Sequence, residues 1–162
     1  MALTYSPKVG EILECDFGDY RNPPLDPSYD GLIPNEMRKR RMVVVINGKL
    51  PNGCCLIVPV SSSGNRNCID RGFHVPIPAA LITSTRFYDR RDRWAVIECV
   101  THVSKDRLFK IKNQGAPVSD VMPRDVVAKI QRAMIKTLNA AVLLIPETTP
   151  ETSAVDLVSE GC

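Results

Sequence analysis

Two runs of apolar, largely β-branched residues, 42–46 (MVVVI) and 54–60 (CCLIVPV), flank a tract that carries Asn47-Gly48 and Pro51-Asn52-Gly53. Each run is too short for a buried helix and is bounded by turn formers, so the pair reads as a buried β-hairpin. This feature constrains the fold most. A strand with no polar alternation must be covered on both faces, and the rest of the chain has to supply that cover.

The remaining strand signals are short. Residues 11–17 (EILECDF) alternate imperfectly and read as a first strand, and 94–103 (WAVIECVTHV) as a late one. Residues 73–77 (FHVPI) suit an edge strand, because Pro76 cannot donate to a ladder, and 107–111 (RLFKI) suit one more. Between them lie segments without period. Residues 18–40 form a long loop of the kind that is functional or disordered, 61–71 a polar loop, and 79–93 a basic irregular stretch. Thirteen prolines and nine glycines in 162 residues fit such a strand-and-turn chain better than a helical bundle.

From residue 122 the period changes. Val126, Ile130, Met134, Leu138, Ala141 and Ile145 recur at steps of three or four, which places one apolar stripe on a helix over about 122–145. Pro123 fits its first turn, Asp125 suits the positive end of the dipole, and Pro146 stops it. The sequence therefore predicts a mainly β (α+β) fold. It is a small SH3-like or rolled β-barrel of five to seven short strands with a C-terminal helix. The domain spans 1–146, and an acidic flexible tail spans 147–162.

Charge is mild overall, +3, but uneven. Arg38-Lys39-Arg40-Arg41 is a solid basic run, and Arg86, Arg90, Arg91 and Arg93 form a second group. Past residue 145 there are Glu147, Glu151, Asp156 and Glu160 and no Lys or Arg. Arg86-Phe87-Tyr88-Asp89-Arg90-Arg91 mixes cations with aromatics, a composition that suits single-stranded RNA, although a solvated loop has the same look. Residues 1–10 lack a signal-peptide core and 140–145 is too short to span a bilayer, so the expectation is a cytoplasmic chain without membrane association. Cys15, Cys54, Cys55 and Cys99 sit in apolar runs as small hydrophobes, and no Cys-x-x-Cys pair is present. Neither a metal nor a cofactor is expected.

Three segments in order then carry a resemblance. Gly10-Glu11-Ile12-Leu13-Glu14-Cys15-Asp16-Phe17 is similar to the opening strand of the MazF/PemK toxins of type II toxin–antitoxin systems. Glu36-Met37-Arg38-Lys39-Arg40-Arg41-Met42-Val43-Val44-Val45-Ile46 resembles their acidic loop end, Arg-Arg-Pro and following strand. Val58-Pro59-Val60-Ser61-Ser62 resembles their Val-Pro-x-Thr/Ser strand end. Glu98-Cys99-Val100-Thr101-His102-Val103-Ser104 and Asp106-Arg107-Leu108 follow as a weaker match. Met42 stands where the family has proline, Val96 where some members carry an arginine used in cleavage, and the 18–40 loop is longer than in short members.

The resemblance implies a metal-independent endoribonuclease in which a ribose 2′-OH attacks the adjacent phosphate, leaving a 2′,3′-cyclic phosphate and a 5′-OH. It implies Arg41 and Ser61 as donors to the phosphorane and Glu36 or Glu98 as base. Arg38, Lys39, Arg40, Arg86, Arg90 and Arg91 are the expected RNA contacts. The implied partners are single-stranded RNA, a second copy of the chain in a homodimer, and an acidic antitoxin that covers the RNA groove. On the residues alone, Arg41 also fits a solvated basic face, Ser61 a turn, and Glu98 either an outward strand position or a buried acid partnered by Arg41. His102 is a weaker candidate acid, and His74 weaker still. The competing reading is a barrel without catalysis that binds RNA or a protein such as gyrase, or serves in host takeover or immunity.

Overall fold

The computed structural model describes residues 3–18 and 36–145. The expected tail and most of the first loop lie outside the described residues. Seven antiparallel strands form one rolled sheet, β1 (Ile12–Asp16), β2 (Arg40–Asn47), β3 (Cys54–Ser61), β4 (His74–Ile77), β5 (Arg93–Val96), β6 (Thr101–Ser104) and β7 (Leu108–Phe109). Their order is β4-β5-β3-β2-β1-β7, with β6 also on β3, and a two-residue pair, β8 (Lys112–Asn113) and β9 (Ala116–Pro117), stands apart. A short helix, α1 (Arg66–Asp70), sits in the 61–71 segment, and α2 (Arg124–Thr137) closes the fold. The mainly β sheet with one C-terminal helix is the architecture the sequence predicts.

The central hairpin pairs Val43 with Pro59 and Val45 with Ile57, and its register slips by a bulge before Asn47. The unbroken apolar run in β2 is explained by two cores. Met42, Val44 and Ile46 pack with Val126, Val127, Ile130 and Ala133 of α2. Val43 and Val45 pack with Leu13, Cys15, Ile57 and Leu108 on the opposite face. Each large side chain buried this way contributes about 1.5–3 kcal/mol.

Residues 94–103 are not one strand. A 3-10 turn, Ile97–Cys99, separates β5 from β6. The two then pair with different halves of β3, Val60–Ser61 opposite Ala95 and Trp94, and Cys54 to Ile57 opposite Ser104 to Thr101. Pro59 lies in the gap between these ladders and has no N–H to offer, so the corner forms where pairing is least rewarded. This corner rolls the sheet.

The helix is also shorter than the apolar stripe. Asn139 adopts a left-handed φ of 57°. Ala140 N–H donates to the Ile135 carbonyl at 3.0 Å and Asn139 N–H to the Lys136 carbonyl at 2.9 Å. Those two bonds are a Schellman motif, which ends the helix at Thr137. Leu138 and Ile145 therefore lie on the surface, 72% and 67% exposed. At the other end Gly10, at φ +86°, links the helix entry to the sheet. Its N–H donates to the Val45 carbonyl at 2.7 Å, and its carbonyl accepts from Met122 N–H at 2.8 Å.

Candidate functional site

The described residues bury three polar or charged side chains, Glu11, His74 and Arg93. Two of these, His74 and Arg93, line a cleft of about 470 Å³ whose wall also carries Arg40, Arg41, Ser61, Ser62 and Ser63. Among the described residues three guanidiniums and no carboxylate line it. Its floor is the mouth of the β2–β3 hairpin, where the rigid central strands end.

Arg41 is exposed, and its backbone is held in the ladder opposite Cys15. Its Nε donates to the Arg38 carbonyl at 3.2 Å. Lys39 turns the chain there, with an uncommon left-handed φ of 64°. Ser61 ends β3, and its hydroxyl closes a local turn, donating to the Ser63 carbonyl at 2.9 Å and accepting from Ser63 N–H at 3.0 Å. Rotation of that hydroxyl is enough to present it as a donor to an anion.

Glu98 differs from the expected picture. It sits in the 3-10 corner, and its Oε1 meets His74 Nε2 at 2.9 Å rather than Arg41. Asn65 caps α1 with its side chain and turns its own N–H to His74 Nδ1 at 3.2 Å. That amide fixes the tautomer from its partners. Nδ1 accepts, so Nε2 carries the proton and donates to Glu98. The Cys68 thiol joins this group, and burial followed by the Glu98 charge pushes its pKa up. The sulfur, imidazole and carboxylate ligand atoms lie within 4.8 Å of one another. A metal on Nε2 would drive the ring proton to Nδ1, against the Asn65 N–H, where metal-binding histidines need an acceptor. The geometry is that of a hydrogen-bonded pair.

Arg93 heads β5 and is only 6% exposed. Its Nη2 donates to the Asp89 carbonyl and to Asp89 Oδ1, both at 3.1 Å, and it lies 5.6 Å from the Tyr88 ring centroid. Its Nε meets no acceptor among the described residues. A buried donor left unmade is costly, and here it belongs to a cation in the cleft wall.

The other expected residues separate. Arg40 lines the cleft and approaches Glu14 at 3.8 Å and Asp16 at 3.7 Å. Arg91 pairs with Asp89, and Arg86 and Arg90 are exposed outside the cleft lining. Arg38 is half-buried, and Lys39 and Glu36 are exposed, with Met37 beside Glu36 in the lining. His102 is exposed on β6, opposite Leu56, away from the cleft. In the sequence reading His74 ranks below His102 as a candidate acid, and Arg93 enters only as part of a basic group. Arg93 was legible as the residue in step with buried Ala95 and Ile97, whereas nothing local marks His74.

Residues 8–138 match the family model described as PemK-like, MazF-like toxin of type II toxin–antitoxin system. The chain belongs to this toxin family. It is 48% identical over 140 residues to an uncharacterised protein of Haemophilus influenzae, covering 86% of this chain and 95% of the relative. It is 43% identical over 148 residues to the putative uncharacterised protein YifN of Escherichia coli K12, covering 89% of this chain and 99% of the relative. A crystal structure of MazF from Deinococcus radiodurans has the same fold, with a TM-score of 0.55 at 18% identity, covering 83% of this chain and 98% of that one. No helix among the described residues of this PemK-like, MazF-like chain is long and apolar enough to cross a membrane.

Proposed function

We propose that this toxin is a metal-independent endoribonuclease that cuts single-stranded RNA at the Arg41–Ser61 cleft. The observation that carries the reading is the wall of three guanidiniums and three serine hydroxyls without a carboxylate, at the end of two rigid strands. Such a site is built for a phosphate that gains negative charge.

In the proposed reaction the ribose 2′-OH loses its proton to a carboxylate and attacks the neighbouring phosphorus. Arg41 and Ser61 donate to the non-bridging oxygens of the phosphorane. The 5′-oxygen leaves with a proton, giving a 2′,3′-cyclic phosphate and a 5′-OH. Neither glutamate is among the described cleft-lining residues. Glu98, with a side chain 39% exposed and bonded to His74 of the cleft wall, is the first candidate base and acts from outside that lining. Glu36 is the second candidate, exposed and next in sequence to Met37 of the lining. Arg93 adds a buried cation behind the site, and Arg38, Lys39, Arg40, Arg86, Arg90 and Arg91 draw the strand in by charge. Family membership supports a homodimer, a cytoplasmic setting and an acidic antitoxin that competes for the same cations.

The test is incubation of purified protein with single-stranded RNA in EDTA, beside an Arg41→Ala variant. Cleavage with cyclic-phosphate ends, reduced roughly 10²–10³-fold in the variant, is expected for loss of one donor to developing charge. Equal cleavage by both proteins, or 5′-phosphate ends, contradicts the assignment. Binding of RNA without cleavage by either protein favours a non-catalytic RNA-binding module.

A further inference from the structure

A second concavity, of about 590 Å³, adjoins the cleft, and Arg40, Phe87 and Tyr88 line both. Its volume is that of a small-molecule site. Its wall is unlike that of the cleft. Phe87 and Phe109 bring aromatic faces, Arg40 lies 4.7 Å over the Phe109 ring, and Glu14 is the one carboxylate among its described lining residues.

One of these features needs an explanation that folding does not give. Phe87 is 81% exposed, an aromatic ring left in water. It is not on a slack loop. Thr85 Oγ1 accepts from Phe87 N–H at 3.2 Å and from Tyr88 N–H at 3.0 Å, and Thr85 N–H donates to the Tyr88 carbonyl at 2.8 Å. The ring is thus presented on a closed turn, which lowers the entropy cost of binding against it. Glu14 faces the pocket from β1, where it accepts from the Tyr88 hydroxyl at 2.8 Å. Burial, and then that carboxylate, raise the Tyr88 pKa, which keeps the phenol protonated as the donor to Glu14 Oε1.

We infer that this pocket seats one nucleobase of the RNA strand next to the nucleotide being cut, and that Glu14 selects guanine there. The inference rests on the ribonuclease reading for its ligand class. Aromatic faces beside cations suit a stacked base and its phosphate. A carboxylate accepts and cannot donate, so it requires a base edge that presents donors. Guanine offers two in parallel, N1–H and N2–H₂, to a carboxylate whose Oε1 also accepts from Tyr88 and whose Oε2, 3.8 Å from Arg40 Nη1, keeps lone pairs for them. Cytosine and adenine offer one amine, and uracil offers one imide N–H between two carbonyls that a carboxylate repels. Arg40, Lys110 and Lys112 in the lining also attract an acidic peptide, so that ligand is made an outcome of the test.

The test uses fluorescent 2′-O-methyl pentanucleotides, which lack the attacking hydroxyl, so affinity is read without cleavage. Each position of a uridine pentamer is replaced in turn by G, A or C. Wild-type protein is expected to prefer guanine at one position. Phe87→Ala, which removes a solvent-exposed ring, is expected to weaken binding about ten-fold, the loss of one base stack. Glu14→Gln is expected to bring guanine and uracil to similar affinity. Equal affinity for all four bases in wild type, or no change in either variant, overturns the pocket. Competition by a Glu/Asp-rich peptide that Phe87→Ala alone relieves, with no guanine preference, overturns it in favour of a peptide seat. Guanine-selective binding by a protein that never cuts RNA retires the ribonuclease reading and leaves the pocket standing. Cleavage that ignores both variants does the reverse.

Discussion

Replacing Lys110 by methionine takes away the cation that faces a buried carboxylate. Glu11 is 4% exposed. It accepts from Lys110 Nζ at 2.7 Å, from Lys8 N–H at 2.9 Å and from the Tyr5 hydroxyl. Burial pushes the carboxyl up, and Lys110, Tyr5 and Lys8 together pull it below its ordinary value of 4.5. Breaking a buried pair on one side costs about 3–5 kcal/mol. The Lys110 side chain is 26% exposed, so part of its charge is already screened by water, and about 2–3 kcal/mol is expected. For a domain of this size that is a fall in Tm of roughly 4–12 °C.

The pH dependence makes the prediction sharper. In wild type the folded Glu11 pKa lies below the unfolded one. Its stabilising contribution is therefore complete above pH 4.5 and is lost as pH falls through the folded value. In Lys110→Met burial is less opposed, the folded pKa rises, and acid relieves the stranded charge. The gap in unfolding free energy should be widest near pH 7 and shrink below about pH 4.5, followed by urea melts monitored at Trp94. Glu11→Gln/Lys110→Met should recover part of the loss, because a neutral amide still accepts from Tyr5 and Lys8. A gap that stays constant from pH 7 into acid, or a double variant less stable than the single one, would refute the electrostatic account.

Other expectations follow from single contacts. Arg93→Met should leave Tm within a few degrees, since a buried guanidinium with an unmade Nε bond contributes little net stability, yet lower RNA cleavage roughly ten-fold or more; a loss of activity that tracks only the loss of folded protein would make Arg93 structural. Gly10→Ala should cost about 2 kcal/mol or more in a urea melt, because φ is +86° and an added Cβ would lie 2.9 Å from the Met122 carbonyl oxygen; an unchanged midpoint would contradict this. Cys15 is fully buried, and burial pushes its thiol to about 12, so mass spectrometry after alkylation of native protein at pH 8 should find it unmodified while Cys54, Cys68 and Cys99, all partly exposed, react.

The parts of the fold written in local chemistry were legible. The β2–β3 hairpin follows from β-branched runs and turn formers, whereas Arg41 and Ser61 are singled out by the family resemblance, since the residues alone also fit a solvated basic face and a turn; both line one cleft. What failed were one local helix stop and two features decided by long-range partners. The apolar period runs on through Leu138 and Ile145, but Asn139, the commonest left-handed helix-ending residue after glycine, stops α2 first. Residues 94–103 look like one strand, yet β3 pairs with them in two halves and forces a corner at Ile97–Cys99. Glu98 was left open between an outward strand position and a buried acid partnered by Arg41; it is exposed, and its partner is His74, which lies 24 residues away and reaches it through the β4–β5 pairing.

That pairing also bears on Val96, which stands where the family resemblance sets a cleaving arginine. β4 places His74 directly opposite Val96 and Ile77 opposite Arg93. An arginine at 96 would enter a cleft that already holds Arg40, Arg41 and Arg93 without a carboxylate in its lining. A fourth guanidinium there would raise the self-repulsion of the free protein, and its charge is supplied three residues earlier by a buried side chain held by Asp89. On the proposed ribonuclease reading the charge the phosphate requires can be delivered from a different strand position, and position 96 stays a buried valine opposite His74 in the ladder. The consequence is a reciprocal substitution. Arg93→Met/Val96→Arg should restore part of the cleavage lost in Arg93→Met, and a double variant no more active than the single one would show that the two positions do not serve the same phosphate.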